Sequence, residues 1–331
     1  MTQSVYSAAP PGDDTGFFRF NPHPEKTMQL LVSGDVHLGR TSTRLPGTLD
    51  GDAGSTPAAW HRLVDLAIDR EVDLVCLSGD LVDADNRFWE AVGPIEAGIR
   101  RLADRGIATL AVSGNHDHEV LPRLVDALGS PWLRQLGRGG VWERHIHSRD
   151  GEPLLAVDGW SFPQTHVAAD PIRDYHPNDP GVPVLVLIHG ELDAPGSRFA
   201  PLDRGSMQTL PVDGWLLGHN HNPPGQRQDQ GAAPIFYVGT PQALDPSEYG
   251  LHGPWMIEVG SGGISKLKQI PGSDVRYETV DVDLTDVEGE EGFESAVLAR
   301  MDARAEEVLP EAGPLRYLSL RLELCGQTSL A

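Results

Sequence analysis

Cysteine is nearly absent from this chain. Cys76 and Cys325 are the two examples, and they do not make a disulfide framework. Cys76 lies inside the apolar run Leu74-Val75-Cys76-Leu77, where a buried, inert thiol is expected. Cys325 has no candidate ligand beside it, so a reducing, cytoplasmic compartment is the simplest expectation. Long hydrophobic runs are also missing. None approaches the ~20 residues of a membrane-spanning helix, so no such helix is expected. The N-terminus lacks a basic region followed by an apolar stretch, so no secretory signal is expected. Basic residues are scarce too: 26 against 48 acidic ones, a net charge of -22. That balance disfavours non-specific attraction to nucleic acid or anionic membrane.

The 331 residues correspond to one large or two ordinary domains. Residues 1–26 are rich in Pro, Gly, Ser and Asp and read as a flexible extension, with Phe17-Phe18-Arg19-Phe20 as an aromatic cluster inside it. From residue 28 a strand–helix alternation begins. Strands are expected at 28–32, 73–77 and 107–112, with helices at 56–70, 88–105 and 119–128. Thr56-Pro57 marks the first helix start, because proline suits the first helical position. After Gly129 the chain turns strand-rich, with short apolar runs at 141–146, 154–157, 184–188, 215–217, 235–238, 255–259 and 264–270. The class is α/β, with two stacked sheets and helices outside. Residues 273–331 read as a small strand–helix–strand unit. Between Asp274 and Glu323 it carries 14 acidic and 5 basic residues, and it is too short to bury much core alone.

Five short blocks carry the chemistry. They are Asp35-Val36-His37, Gly79-Asp80-Leu81-Val82-Asp83, Gly114-Asn115-His116-Asp117, His189-Gly190 and Gly218-His219-Asn220-His221. Singly, each has an ordinary explanation: Gly-Asp after a strand is usually a turn, and Asn and Asp favour turns and helix caps. Together, in order, each block follows an expected strand, and turn chemistry does not account for that regularity. Ligands in α/β sheets gather at strand carboxyl ends, and the small Ser and Gly residues beside these blocks let backbones approach closely. Imidazole and oxygen donors without thiolates suit manganese, iron or zinc.

In this order the five blocks resemble the calcineurin-like metallophosphoesterases. The resemblance covers about residues 28–221. It implies a four-layer α-β-β-α sandwich over 27–272, with a dinuclear centre at one rim and a small C-terminal α+β capping segment at 273–331. It further implies that Asp35, His37 and His221 hold one divalent ion, that Asn115, His189 and His219 hold a second, and that Asp80 bridges both. The metal is expected to be manganese, with iron, zinc or magnesium as alternatives. His116 would sit over the scissile phosphate with Asp83 orienting its imidazole, while Asp117 fixes the local turn. Such a centre generates hydroxide from a bridging water at neutral pH and offsets charge in an in-line displacement.

Flanking features narrow the substrate. Asp35-Val36-His37-Leu38-Gly39-Arg40, Tyr237-Val238-Gly239-Thr240-Pro241-Gln242 and the stretch 245–253 are similar to the SbcD-type DNA repair nuclease subunit. That resemblance implies a DNA exonuclease and endonuclease, with an SbcC-like ATPase partner and a homodimer. Arg40 and Arg87 are candidate substrate contacts, with Arg44, Arg198, Arg204 and Arg227 as further loop arginines. Arg100, Arg101 and Arg105 read as a solvated helix face, and His145 and His147 as strand residues outside the site. The acidic balance favours an alternative, a stand-alone phosphodiesterase or phosphatase for a small, nucleotide-like phosphoester. A catalytically silent binding subunit is disfavoured by the complete ligand set.

Overall fold

The computed structural model describes residues 27–46, 52–83, 88–222, 233–311 and 313–327. The expected extension at 1–26, Arg87 and Arg227 lie outside the described residues. In the first half, strands β1 (Met28–Ser33), β2 (Leu74–Ser78), β3 (Ala108–Val112) and β4 (Leu133–Gln135) alternate with helices α1 (Thr56–Asp69), α2 (Phe88–Ala103) and α3 (Val120–Leu128). The second half holds β5 (Glu143–Arg149), β6 (Glu152–Trp160), β7 (Val184–His189), β8 (Glu191–Leu192) and β9 (Pro201–Leu202). It continues with α4 (Arg204–Gln208), β10 (Gly214–Gly218), β11 (Ile235–Tyr237), β12 (Trp255–Gly260) and β13 (Gly263–Gln269). One sheet has the order β13-β12-β1-β2-β3-β4, the other β11-β10-β7-β6-β5.

Side-chain alternation sorts the layers. Met28, Leu30 and Val32 of β1, with Leu74 and Cys76 of β2, meet Leu155, Leu185, Leu187 and Leu216 of the second sheet. The opposite residues Leu31, Val75 and Leu77 meet Trp60, Leu63 and Val64 of α1 and Ile95 and Ile99 of α2. Parallel strands covered on both faces need continuous apolar runs, and β2 and β7 are buried at every position. Helix α1 starts at the Ser55 N-cap, whose side chain accepts from the Ala58 amide, with proline in its first turn. Helices α1 and α2 approach closely because Gly98 has no Cβ. One placed there would lie 2.4 Å from the Trp60 indole nitrogen, which donates to the Pro94 carbonyl at 2.9 Å.

The layers run helix, sheet, sheet and outer cover, as expected for an α-β-β-α sandwich, and the fourth layer is thin. Trp215, Leu217, Val186 and Ile188 are covered by Phe162, Ile172, Tyr175, Ala200, Leu202 and Met207. These come from irregular segments, a short 3-10 turn at Pro171–Asp174, the two-residue strand β9 and α4. The stretch 161–183 contains five prolines, and proline in a helix interior removes a hydrogen bond and clashes with the preceding turn. A polar staple anchors this layer. Arg144 donates through Nε and Nη2 to Asp158 at 2.6 and 2.7 Å, and the Tyr175 hydroxyl donates to the same carboxylate at 2.5 Å.

The C-terminal unit consists of β14 (Val275–Asp283), α5 (Gly289–Val308) and β15 (Tyr317–Cys325). Its two strands pair in parallel, and Val280, Val282 and Leu284 pack against Phe293, Val297 and Leu320. It is joined to the rest of the chain through Tyr277, whose hydroxyl donates to the Thr43 carbonyl, and through Asp274, which accepts from Arg62 Nη1 at 3.3 Å. Among the described residues no helix is long and apolar enough to cross a membrane. Cys76 is buried and Cys325 exposed.

Leu187 stands at the centre of the inter-sheet core and is fully buried. We expect Leu187→Ala to lower unfolding free energy by about 2–5 kcal/mol in urea denaturation, the usual cost of a core cavity.

Candidate metal centre

Both sheets present strand carboxyl ends to one rim. Asp35 and His37 follow β1, Asp80 and Asp83 follow β2, and Asn115 and His116 follow β3. From the second sheet, His189 ends β7, while His219 and His221 follow β10. Glycines make the approach possible. A Cβ on Gly218 would lie 1.9 Å from the Ser78 carbonyl oxygen, and one on Gly79 would lie 2.6 Å from His189 Nδ1. Asp35, His37, Asp80 and His219 hold positive φ values of 48°, 49°, 49° and 105°, a region that side-chain-bearing residues rarely occupy. The surrounding bonds enforce it. Asp35 N donates to Gly79 O at 3.0 Å and His37 N to Asp80 O at 2.9 Å. Buried Asp117 ties the β2 and β3 loops together, accepting from Leu81 N and Gly114 N, each at 2.8 Å.

Two groups of donor atoms result. Asp35, His37 and His221 place one ligand-type atom each within 4.8 Å of one another, with the two imidazole Nε2 atoms 2.9 Å apart. Asn115 Oδ1 lies 3.1 Å from His189 Nε2 and 3.2 Å from His219 Nδ1. Asp80 stands between the groups, its Oδ2 being 3.4 Å from His189 Nε2 and 3.9 Å from His37 Nε2. All seven candidate ligands therefore share one rim.

Hydrogen bonds on the far side of the rings orient the imidazoles. His37 Nδ1 lies 3.2 Å from Asp83 Oδ1, His189 Nδ1 is 3.0 Å from the Ser78 carbonyl, and His221 Nδ1 is 2.7 Å from Glu248 Oε1. An oxygen acceptor at Nδ1 fixes the proton there and turns the Nε2 lone pair inward, the arrangement found around metal-bound histidines. The lone pair of His189 then faces Asn115 Oδ1 and Asp80 Oδ2, three acceptors converging on one point. Acceptors facing one another in a buried site are costly, and a cation between them removes the conflict. The donor set thus fits divalent metal.

Protonation follows the same logic. Burial lowers the pKa of His37, His189 and His219, favouring the neutral rings a metal needs. Burial also pushes His221 down, but the Glu248 hydrogen bond and the Asp35 charge outweigh it, raising His221 to about 9. In the metal-free protein His221 therefore carries the proton between its Nε2 and that of His37. Burial raises Asp80, but the neighbouring His189, His37 and His116 outweigh this and its pKa is lowered.

His116 is half-buried at the edge of the cluster, one of its ligand-type atoms lying within 4.8 Å of those of His37 and Asp80, and its ring is 4.9 Å from that of His37 in an edge-on arrangement. Its Nδ1 lies 3.4 Å from Asp83 Oδ1, at ion-pair distance. That carboxylate raises the His116 pKa more than burial lowers it. Asp83 thus serves both His37 and His116. Arg40 is half-buried and Arg198 and Arg44 are exposed, whereas Arg204 is paired with Asp193 at 2.9 Å. His145 and His147 lie on β5 and belong to neither donor group. Two partners were given no role at the metal centre by the sequence reading. Glu248 sits in a turn-rich stretch with no strand before it, and the Ser78 carbonyl is backbone and leaves no residue signature.

The His221 shift is directly measurable. In metal-free protein, imidazole NMR should show one ring titrating near 9 instead of near 6.5. The absence of any ring titrating near 9 would refute the His221–Glu248 electrostatics.

The model of the calcineurin-like phosphoesterase family matches residues 28–224, the span holding every one of these side chains except Glu248. The chain is 26% identical over 243 residues to the uncharacterized metallophosphoesterase YhaO of Bacillus subtilis, covering 70% of this chain and 56% of that protein. It is 27% identical over 280 residues to the DNA double-strand break repair protein Mre11 of Haloferax volcanii, covering 80% and 56%. It therefore spans little more than half the length of these curated relatives. Among solved structures, a putative 5'-nucleotidase from Staphylococcus aureus overlaps with a TM-score of 0.46 at 14% identity, covering 83% of this chain and 58% of that one. An overlap that loose carries no argument about substrate. The family model spans more than half of the chain, and this protein belongs to the calcineurin-like phosphoesterases.

Proposed function

We propose that this protein is a dinuclear-metal phosphodiesterase of the SbcD type that hydrolyses DNA. The observation that carries the reading is the pair of donor groups sharing Asp80, with His116 half-exposed beside them. Asp35, His37 and His221 would hold the first ion, Asn115, His189 and His219 the second, and Asp80 would touch both. Nitrogen and oxygen donors without thiolate suit manganese, iron or zinc, and manganese is the proposed metal. When bound, the two cations would supply Lewis acidity toward an attacking water and toward the phosphate oxygens. His116, held protonated by Asp83, donates to the leaving oxygen as general acid. Asp35 is fixed for its role by the His219 amide, which donates to both its oxygens at 3.0 and 3.1 Å.

Similarity to the Haloferax repair protein over most of this chain supports DNA as the substrate. On that reading residues 27–272 are the catalytic body, residues 273–331 a capping unit that helps select DNA ends, and Arg40 and Arg87 substrate contacts. An SbcC-like ATPase and a second copy of the chain are the proposed partners. The net charge of -22 favours a second reading, a phosphodiesterase or phosphatase for a small nucleotide-like phosphoester. Bound dications would make the rim locally positive inside an acidic protein, which reconciles the charge with DNA.

Purified protein with manganese and linear duplex DNA decides between them. Cleavage should occur, and His116→Ala should lower its rate about 10²–10⁴-fold while bound metal, read by elemental analysis, stays unchanged. Full cleavage by the variant would remove His116 from the mechanism. Hydrolysis of bis-p-nitrophenyl phosphate without DNA cleavage would establish the small-substrate reading.

A further inference from the structure

Glu248 is a buried carboxylate, 5% exposed, in a chain whose acidic residues are mostly at the surface. Both of its oxygens are engaged. Oε1 accepts from His221 Nδ1 at 2.7 Å, and Oε2 accepts from the Leu244 amide at 2.6 Å. The turn carrying it is pinned from several sides. Glu248 N donates to Asp245 O at 2.9 Å, and Thr43 N to Leu244 O at 2.7 Å. Buried His252 meets the Glu248 carbonyl through Nε2 at 3.1 Å. One step further, Gly250 N donates to Tyr277 O at 2.9 Å, and Tyr249 bridges Tyr277 of β14. The carboxylate is thus held in place before any metal arrives, by a turn fastened to the loop after β1 and to the C-terminal unit.

We infer that Glu248 is a positioning residue for the metal centre, acting through His221 on the first ion alone. The inference rests on the proposed ligand assignment. The asymmetry between the two groups carries it. His221 has a carboxylate behind its ring, whereas His189, in the other group, has the neutral Ser78 carbonyl at 3.0 Å. A carboxylate behind an imidazole fixes its tautomer and raises the basicity of the lone pair facing the metal. Its removal therefore falls on the ion bound by His221. The Asn115–His189–His219 group is joined to Glu248 by no hydrogen bond and should keep its affinity.

The test is titration of metal-free protein with manganese alone, by calorimetry, for the full chain and for Glu248→Gln and Glu248→Ala. The full chain should bind two ions; failure to do so would sink the metal assignment itself, separately from this inference. In both variants one site should weaken about 10–100-fold and the other should hold its affinity. Thermal unfolding in chelator reports whether each variant folds, and Glu248→Gln, nearly isosteric, covers the case in which the alanine variant does not. Two sites of unchanged affinity would overturn the positioning role. Equal weakening of both sites would also overturn it, since that is the mark of a general loosening of the rim.

Discussion

Everything at the rim depends on how closely two sheets can bring their strand ends together. The Gly218 and Gly79 backbones pass the Ser78 carbonyl and the His189 ring at distances no side chain would allow. With these strands in place, the loops must turn within one or two residues to aim Asp35, His37, Asp80 and His219 inward. The left-handed backbone at all four follows from that demand. Such conformations persist where the surroundings over-determine them. Here the cross-strand amide bonds and the buried Asp117 carboxylate supply that determination. Burial in the three apolar layers thus sets the stage on which costly local geometry can be maintained.

Legibility in the sequence tracked the kind of interaction involved. Side chains that must be His, Asp or Asn immediately after a buried strand leave a local signature, and all five blocks were readable for that reason. The strands themselves were readable because a strand covered on both faces must be apolar throughout, as in β2 and β7. β4, three residues long with an exposed Arg134, carried no such pattern. The thin fourth layer was hidden as well. Its residues contribute single apolar contacts from irregular backbone, and only the prolines of 161–183 hint that helices are excluded.

The outer partners were the least visible. Glu248 is one acidic residue among 48 and lies 27 positions from His221. Its importance comes from burial and from which nitrogen it faces, neither of which is encoded locally. Asp83 was visible as a neighbour of Asp80, but its contact with His37 was not. The arginines illustrate the reverse error. Arg204 looks free in the sequence, yet Asp193 across a short loop takes its guanidinium.

The sharing of Asp83 has a consequence for how this centre can vary. One carboxylate oxygen stands 3.2 Å from His37 Nδ1 and 3.4 Å from His116 Nδ1. The His37 ring, a proposed ligand, and the His116 ring, the proposed acid, therefore draw on the same negative charge. Groups in one such network show non-additive energetics. The two imidazoles and Asp83 thus form a single thermodynamic unit, and changes at His37 and His116 will not sum as independent terms.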